Sequence, residues 1–259
     1  MKLSLANVIS NREVMPGAYL TWLESPQIAA TARPGQFIMA RCGEETLLRR
    51  PLSIHRVDGG KFALLFTLVG KGTRWLSQRQ TGDTVDIFGP LGNGFAIDST
   101  THNLLLVAGG IGIAPIRFLA DEAVRQGEKV TVLMGASTAS YLYPKHSLPP
   151  ETELIIATED GTAGKKGMIT DRLPDFTPWA DQIFTCGPMP MYQTMAQMSE
   201  LNNKHVQISL EMRMGCGLGV CYGCTVKTKN GLKQVCQDGP VFDLEDILWD
   251  ELASHGGAL

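Results

Sequence analysis

No apolar run in this chain is long enough to cross a bilayer. The longest uncharged apolar-rich stretch, Leu104 to Ile116, falls short of the roughly 18–20 residues that a transmembrane helix needs. The residues after Met1 lack the apolar core of a secretory signal, so a cytoplasmic protein is expected. Positive charge is not in excess either: Lys and Arg number 23 against 26 Asp and Glu, which leaves no basic footprint for nucleic acid. The five histidines are scattered, with no i, i+4 pair, and read as surface or capping groups rather than metal ligands. Nothing resembles a serine or cysteine hydrolase triad, and there is no repeat or low-complexity tract. A chain with 44% hydrophobic and 19% charged residues is neither disordered nor a coiled coil.

Glycine and clustered cysteine are what the chain does have. Glycine supplies 28 of 259 residues, above the roughly 7% of average usage, so tight turns or close backbone approaches are expected. Of the six cysteines, Cys42 and Cys186 stand alone, while Cys216, Cys221, Cys224 and Cys236 crowd one short stretch. Clustered cysteines in a reducing compartment hold metal more often than they form disulfides. The pattern C-x4-C-x2-C-x11-C, within M-G-C-G-L-G-V-C-Y-G-C-T-V, fits a plant-type [2Fe–2S] centre with its more distant fourth cysteine. Such a loop must wrap a flat two-iron rhomb and place thiolates on both irons. Gly215, Gly217, Gly219 and Gly223 are expected to reach φ values that side chains forbid and to let amide N–H groups approach the sulfurs. Structural zinc is the competing reading. Zinc ribbons usually bring two C-x2-C pairs, however, and only Cys221/Cys224 qualifies here.

At 259 residues the chain suits two domains of roughly 100–150 residues with a small appendage. Short apolar runs at Gln36–Arg41, Lys61–Leu68 and Thr84–Phe88, separated by turns such as Pro34-Gly35 and Asp58-Gly59-Gly60, predict a small antiparallel β-barrel. A helix is expected near Thr73–Arg79. From about Asn103 the rhythm changes to strands at Asn103–Ala108, Lys129–Gly135, Glu153–Thr158 and Asp181–Cys186. Helices are expected at Ala114–Gln126 and Met189–Leu201, and a further apolar run covers Val206–Leu210. Strands alternating with helices imply a parallel α/β sheet with a ligand crevice at the strands' carboxyl ends. The glycine- and cysteine-rich segment then runs to Val241, followed by a short acidic tail. The expected fold class is therefore multi-domain β plus α/β: a β-barrel over 1–99, a parallel α/β nucleotide-binding domain over 100–207 and a small iron–sulfur module over 208–259.

Several strings suit phosphate or dinucleotide binding. Arg50-Pro51-Leu52-Ser53 offers a guanidinium fork and a hydroxyl donor, both fit for a pyrophosphate. Gly70-Lys71-Gly72-Thr73 opens a helix whose N-terminal amides favour anions, or is a plain helix start capped by Thr73. Gly89-Pro90-Leu91-Gly92-Asn93-Gly94-Phe95 is a loop signature or a tight interdomain turn. Strand Leu104–Ala108 runs into Gly109-Gly110-Ile111-Gly112-Ile113-Ala114-Pro115, a glycine-rich turn leading to a helix, as dinucleotide phosphates require. Thr185-Cys186-Gly187-Pro188 ends the last strand of that series, with Cys186 either shaping a nicotinamide slot or simply buried as an apolar residue; it is not assigned as a nucleophile. Glu159-Asp160-Gly161 could meet a ribose hydroxyl or be merely solvated.

In this order the strings resemble the ferredoxin–NADP reductase superfamily. The longer strings R-R-P-L-S-I, G-K-G-T, E-M-R-M-G-C-G-L-G-V-C-Y-G-C and V-C-Q-D-G-P-V-F resemble more narrowly the electron-transfer subunits of class 1B dihydroorotate dehydrogenases. That resemblance implies FAD held by Arg50, Pro51, Leu52, Ser53, Leu65, Phe66, Thr67, Gly72 and Thr73. It implies NAD at Gly109, Gly110, Gly112, Cys186, Gly187 and Pro188, and a [2Fe–2S] cluster on Cys216, Cys221, Cys224 and Cys236. It also implies an FMN-containing catalytic partner that oxidises dihydroorotate to orotate in pyrimidine biosynthesis, in a heterotetramer with two copies of each subunit. Electrons would run from that FMN through the cluster and FAD to NAD+, because flavin links two-electron hydride chemistry to one-electron cluster chemistry. A stand-alone NAD(P)H:ferredoxin-type reductase, a reductase subunit of a sulfur or hydrogenase complex, and a zinc-stabilised binding module are the alternatives. NAD and NADP are not distinguished.

Overall fold

The computed structural model describes residues 2–253. Six strands, β1 (Lys2–Met15), β2 (Ala18–Glu24), β3 (Phe37–Ala40), β4 (Arg50–Asp58), β5 (Lys61–Thr67) and β6 (Thr84–Leu91), close a barrel in the order β1-β2-β5-β4-β3-β6. Every neighbouring pair is antiparallel. Two short helices, α1 (Pro26–Ala29) and α2 (Lys71–Ser77), pack at its rim. Alternation decides the core: Ile38, Ile54, Phe62, Leu64, Leu76 and Ile87 are wholly buried together. The long first strand carries Asn7, Ser10, Asn11, Arg12 and Glu13, so periodicity alone does not mark it. One of these polar residues is structural. The Asn11 amide donates to the carbonyls of Leu76, Ser77 and Arg79 at 2.9–3.0 Å, satisfying the orphan end of α2.

Beyond the barrel come β7 (Asn103–Gly109), α3 (Ile113–Arg125), β8 (Lys129–Ala136), β9 (Glu153–Thr158), β10 (Lys165–Lys166), α4 (Leu173–Phe176), β11 (Gln182–Cys186), α5 (Met189–Ala196) and β12 (His205–Ser209). The cysteine segment adds a hairpin, β13 (Thr225–Thr228) and β14 (Gly231–Gln234), then β15 (Val241–Asp243) and α6 (Trp249–Ala253). The large sheet has the order β10-β9-β8-β7-β11-β12-β15, parallel except for β15. Its order reverses on either side of β7, so the crevice between β7 and β11 is the topological switch point where such sheets take ligands.

Two expectations need correction. The helix expected to reach Leu201 stops at Ala196, and a 3₁₀ turn covers Ser199–Leu201. Met195 and Leu201 are both buried, yet six residues on one continuous helix stand about 240° apart; the break turns both inward. The stretch from Val241, expected as an acidic tail, instead supplies an edge strand and buries Leu244 and Ile247.

The barrel and the sheet share a seam. In β4 the register jumps between Ile54 and Arg56, which oppose the consecutive residues Leu64 and Ala63, so His55 is the extra residue of a bulge. Bulges re-aim side chains, and this one turns His55 onto α3. His55 is completely buried. Its Nδ1 lies 2.8 Å from the Ala114 carbonyl and its Nε2 lies 2.9 Å from the Tyr143 hydroxyl. The Nδ1–H therefore donates to Ala114 and Nε2 accepts from Tyr143. The next residue, Arg56, pairs with Asp121 of α3 at 3.3 Å, and Phe118 of the same helix joins the barrel core. This corrects the surface-or-cap reading for His55 alone, because a polar ring can be wholly buried when both nitrogens are satisfied; His102, His146 and His205 are exposed.

Burial lowers His55 from its ordinary 6.5 to about 3, the charges of Arg117 and Arg56 adding to the effect and the Ala114 bond opposing it. As pH falls below 6.5 the unfolded chain takes up a proton at this ring and the folded chain does not, so stability is intact above 6.5 and is lost toward 3. Denaturation of the wild type between pH 7.5 and 5.5 should show a loss of up to about 1.4 kcal/mol per pH unit from this residue. His55→Gln should remove that part of the slope.

Candidate iron–sulfur and dinucleotide sites

The cysteine loop leaves β12 and returns through the β13–β14 hairpin. Backbone amides point at its sulfurs: Leu218 N–H donates to Cys216 Sγ at 3.3 Å, Gly219 N–H to Cys236 Sγ at 3.1 Å and Cys236 N–H to Cys224 Sγ at 3.4 Å. All six cysteines of the chain are free thiols. The loop thiols sit as neighbours, Cys216 beside Cys221 and Cys236 beside Cys224, with Cys236 also feeling Cys216. Among the described residues no three His, Cys, Asp or Glu side chains are set to hold a single metal ion. Four thiols grouped in this way, within N–H reach, could supply the donor set of a two-iron centre.

Burial works to raise Cys216, but the amides of Leu218, Cys221 and Val220 and the Cys221 thiol outweigh it and bring it down to about 6. Burial and the Cys224 thiol push Cys236 up to about 12. The glycine expectation holds in half: Gly217 and Gly219 have φ of +72° and +78°, whereas Gly215 and Gly223 are not in the left-handed region. A Cβ on either would lie 3.5–3.6 Å from Cys221 Sγ, an ordinary contact. Tyr222 takes the left-handed place instead, with φ of 57°, the one non-glycine residue described with positive φ.

Gly217 seats the loop on the barrel. A Cβ there would come within 2.7 Å of Met39 Cγ, and Met39 is the register partner of Pro51 on the Arg50–Ser53 strand. Asn93 of the Gly89–Phe95 loop completes the join, its backbone N–H donating to Gly239 O at 2.6 Å and its side chain to Asp238 O at 2.9 Å.

On the barrel, Arg50, Pro51, Leu52 and Ser53 lie on β4 and Leu65, Phe66 and Thr67 on β5, its neighbour. Arg49 is taken by Asp86 at 2.7 Å. Arg50 donates to Leu48 O at 2.6 Å, and among the described residues no carboxylate pairs with it, which leaves its fork suited to an anionic group. Gly72 lies against it: a Cβ would sit 2.9 Å from Arg50 Nε. The Thr73 hydroxyl accepts from the N–H groups of Val69 and Gly70 at 3.0 and 3.2 Å; Gly70, not Thr73, is the N-cap of α2, and Thr73 reaches back to it from the third helical position.

At the switch point the two glycine loops meet. Gly112 is so close to the Cys186 carbonyl that a Cβ would overlap it, and Gly109 packs on Pro188 and Gly187. Gly110 has φ of +54°. The structure therefore brings Gly109, Gly110, Gly112, Cys186, Gly187 and Pro188 together at the carboxyl ends of β7 and β11. Cys186 is fully buried, its Sγ 3.6 Å from Ser209 O and 3.9 Å from Glu211 Oε1. Tyr192 accepts from Gly187 N–H at 2.9 Å and donates to Ser209 O at 2.6 Å. Burial, then the Glu211 charge, push the Cys186 thiol well up, and burial also raises Glu211. A thiol so held stays protonated and is no nucleophile. Asp160 is spent on Thr162, accepting from its N–H and hydroxyl at 3.0 and 2.7 Å. Two surface clefts of about 510 and 470 Å³ border neither glycine loop nor the cysteine loop.

Residues 211–248 match the family described as the iron-sulfur cluster binding domain of dihydroorotate dehydrogenase B. Over 256 residues the chain is 40% identical to the dihydroorotate dehydrogenase B (NAD(+)) electron transfer subunit of Desulforamulus reducens, covering 95% of this chain and 98% of that one. The chain belongs to the dihydroorotate dehydrogenase B electron transfer subunit family. The same family's member from Geobacillus sp. (strain WCH70) is 36% identical, with 96% and 99% covered. A solved structure of an NADH-dependent reduced ferredoxin–NADP oxidoreductase, described for flavin-based electron bifurcation, superposes with a TM-score of 0.88 at 32% identity over 97% of this chain and 92% of that one. The ferredoxin reductase of carbazole 1,9a-dioxygenase, at 20% identity and a TM-score of 0.70 over 80% and 69%, shares the fold. In this family member the matched segment begins at Glu211, the residue that sequence reasoning missed. Its only signal was its place at the head of E-M-R-M-G-C, since nothing local shows that it turns back to Cys186.

Gly112→Ala should destabilise the protein by about 1–3 kcal/mol, read from the denaturation midpoint, because backbone rather than a side-chain tip blocks the new methyl. In the folded protein at pH 8, iodoacetamide should leave Cys186 and Cys42 unmodified by mass spectrometry. Burial lifts Cys42 to about 11 against the pull of Arg50 and Arg49, so both thiols stay protonated at that pH.

Proposed function

We propose that this chain binds FAD and one [2Fe–2S] cluster and passes electrons from dihydroorotate oxidation on a separate catalytic subunit to NAD+. The observation that carries the reading is convergence: the grouped thiols, the Arg50–Ser53 strand and the two glycine loops are joined by Met39–Gly217 on one side and the β4–α3 seam on the other. Flavin would supply exchange of one or two electrons, and the cluster exchange of one.

Each part of the chain has a separate task. Arg50 and Ser53 would hold the flavin pyrophosphate, with Gly72 kept bare so that the Arg50 guanidinium can lie along α2. Leu65 and Phe66 present a buried strand surface, with Thr67 beside them. Gly109, Gly110 and Gly112 would let the nicotinamide nucleotide's phosphates approach backbone, and the protonated Cys186 would fill the slot floor without attacking. Cys216 with Cys221 would take one iron and Cys224 with Cys236 the other, and the amides of Leu218 and Gly219 would stabilise charge on the sulfurs.

An apolar rim supports a partner at the cluster. Leu218, Val220 and Tyr222 are 42%, 71% and 68% exposed beside the exposed Cys221, and a cluster of exposed apolar side chains is the mark of an interaction site. The partner would be the FMN-containing dihydroorotate dehydrogenase catalytic subunit, in a heterotetramer of two copies of each chain in the cytoplasm. No helix among the described residues is long and apolar enough to cross a membrane. A reductase serving ferredoxin is the second reading, favoured by the 32% identity to the ferredoxin–NADP oxidoreductase but set below the 40% match to the dehydrogenase subunit.

Anaerobic NADH should bleach the flavin and cluster bands of the purified chain, whereas dihydroorotate should do so only after the catalytic subunit is added. Turnover of dihydroorotate by this chain alone would sink the reading. Cys236→Ser should abolish the cluster's visible and paramagnetic signals while leaving FAD bound and reducible by NADH. Val220→Glu should weaken co-elution with the catalytic subunit at unchanged cofactor content.

A further inference from the structure

His55 is a completely buried polar side chain to which the proposed function gives no task. We propose that it is a positioning residue for hydride exchange, holding the Gly109–Gly112 loop in register with the Arg50–Ser53 strand through its bond to Ala114. The inference rests on the FAD and NAD reading above and adds to it the part that fixes one site against the other.

Three segments meet at the ring. β4 delivers it two residues after Ser53, or roughly 7 Å along a strand. Ala114 is the second residue of α3, two beyond Gly112, so its carbonyl belongs to the first helical turn after the glycine loop. Tyr143 lies beyond the carboxyl end of β8 and packs edge-on to the ring at 5.3 Å. The path from the flavin strand to the dinucleotide loop is thus one side chain long, with a hydrogen bond of 2.8 Å at its end.

The bulge is what makes this contact. In a regular strand His55 and Arg56 would point to opposite faces, whereas here both reach α3, His55 at Ala114 and Arg56 at Asp121. Because the ring is sealed from water, no solvent molecule can replace a lost bond, and the Ala114 carbonyl cannot turn elsewhere without moving the first turn of α3. Arg117, also buried, ties the same face of the helix to Ser147 O at 2.5 Å and pairs with Asp121, the residue that Arg56 meets.

The chemistry is demanding of such control. The transfer moves two electrons and one proton as a hydride between nicotinamide and flavin, and His55 takes no part in it. Reacting atoms must stand about 3–3.5 Å apart, and a misplacement of about 1 Å costs on the order of a hundredfold in rate.

The test uses the FAD- and iron-loaded protein with His55→Gln, His55→Asn and Tyr143→Phe. Asparagine puts its amide nitrogen where Nδ1 stands and can keep the Ala114 bond; glutamine reaches the Nε2 position and cannot. His55→Gln should retain both cofactors but reduce flavin with NADH at least about tenfold more slowly in anaerobic stopped flow. It should also lose the long-wavelength charge-transfer absorption of the nicotinamide–flavin pair and exchange the amides of Ala114, Ile116 and Arg117 faster. His55→Asn should stay within about threefold of wild type. If His55→Gln lowers the melting temperature while rate, absorption and amide exchange match wild type, the histidine is a structural bolt and the inference is overturned. If His55→Gln does not fold, Tyr143→Phe decides: a slower reduction and weaker absorption support the inference, and wild-type values for both overturn it. A wild-type chain that NADH does not reduce is a failure of the functional reading, visible before any variant is made.

Discussion

The seating of Gly217 on the thioether of Met39 leaves one side chain between the cysteine loop and the strand that carries Arg50–Ser53. Most of the molecule's organisation follows from the need to keep that contact. Met39 has no solvent exposure and belongs to a core that also contains Phe37 and Leu91 of the barrel, Leu105 and Val107 of the sheet, and Cys224 and Cys236 of the loop. Barrel, sheet and cysteine module therefore share packed apolar volume instead of meeting as separately folded bodies. Close-packed interiors have low compressibility and resist displacement, which suits centres that must stay at fixed separation.

A second shared core lies on the other side of the barrel, where Met15, Leu20 and Leu65 pack with Leu104, Ile113, Ile116 and Phe184. Apolar packing of this kind excludes water but tolerates small slips, because it has little directionality. The polar contacts supply direction. His55 to Ala114, Arg56 to Asp121, Asn93 to Gly239 and Gln182 to the backbone of Ala96 and Asp98 each fix one segment against another at 2.6–3.3 Å. A buried hydrogen bond of this sort contributes modestly to net stability and costs far more when one partner is left unmet. The joints between the units are thus defined by penalty for misalignment as much as by attraction.

Much of this was legible in the residues. The four strands at 103–108, 129–135, 153–158 and 181–186 read as buried strands because they are short, apolar and bounded by turn formers, and each is present within two residues of its expected end. The cysteine spacing marked the loop in which four thiols gather. Other features had no local signature. β1 carries too many polar side chains to alternate cleanly, since Asn11 is there for the end of α2. Glu211 reads as an ordinary acid before a glycine-rich loop. His55 reads as a stray polar residue in a strand, because the bulge that turns it depends on the register of β5 and not on its own neighbours.

Local chemistry alone determined which residues carry groups of a useful kind: thiols at a two-iron spacing, glycines that leave the backbone open to close approach, a guanidinium and a hydroxyl on one strand. These are properties of single residues and of short spacings, and the chain states them directly. Tertiary structure decided which of them meet. Gly112 lies against Cys186 because β7 and β11, more than seventy residues apart in sequence, are neighbours in the sheet. Gly217 meets Met39, and His55 meets Ala114, because barrel closure and one bulge set the registers. Proximity across such distances is fixed by the balance of all packed contacts together, and no short stretch of sequence contains that balance.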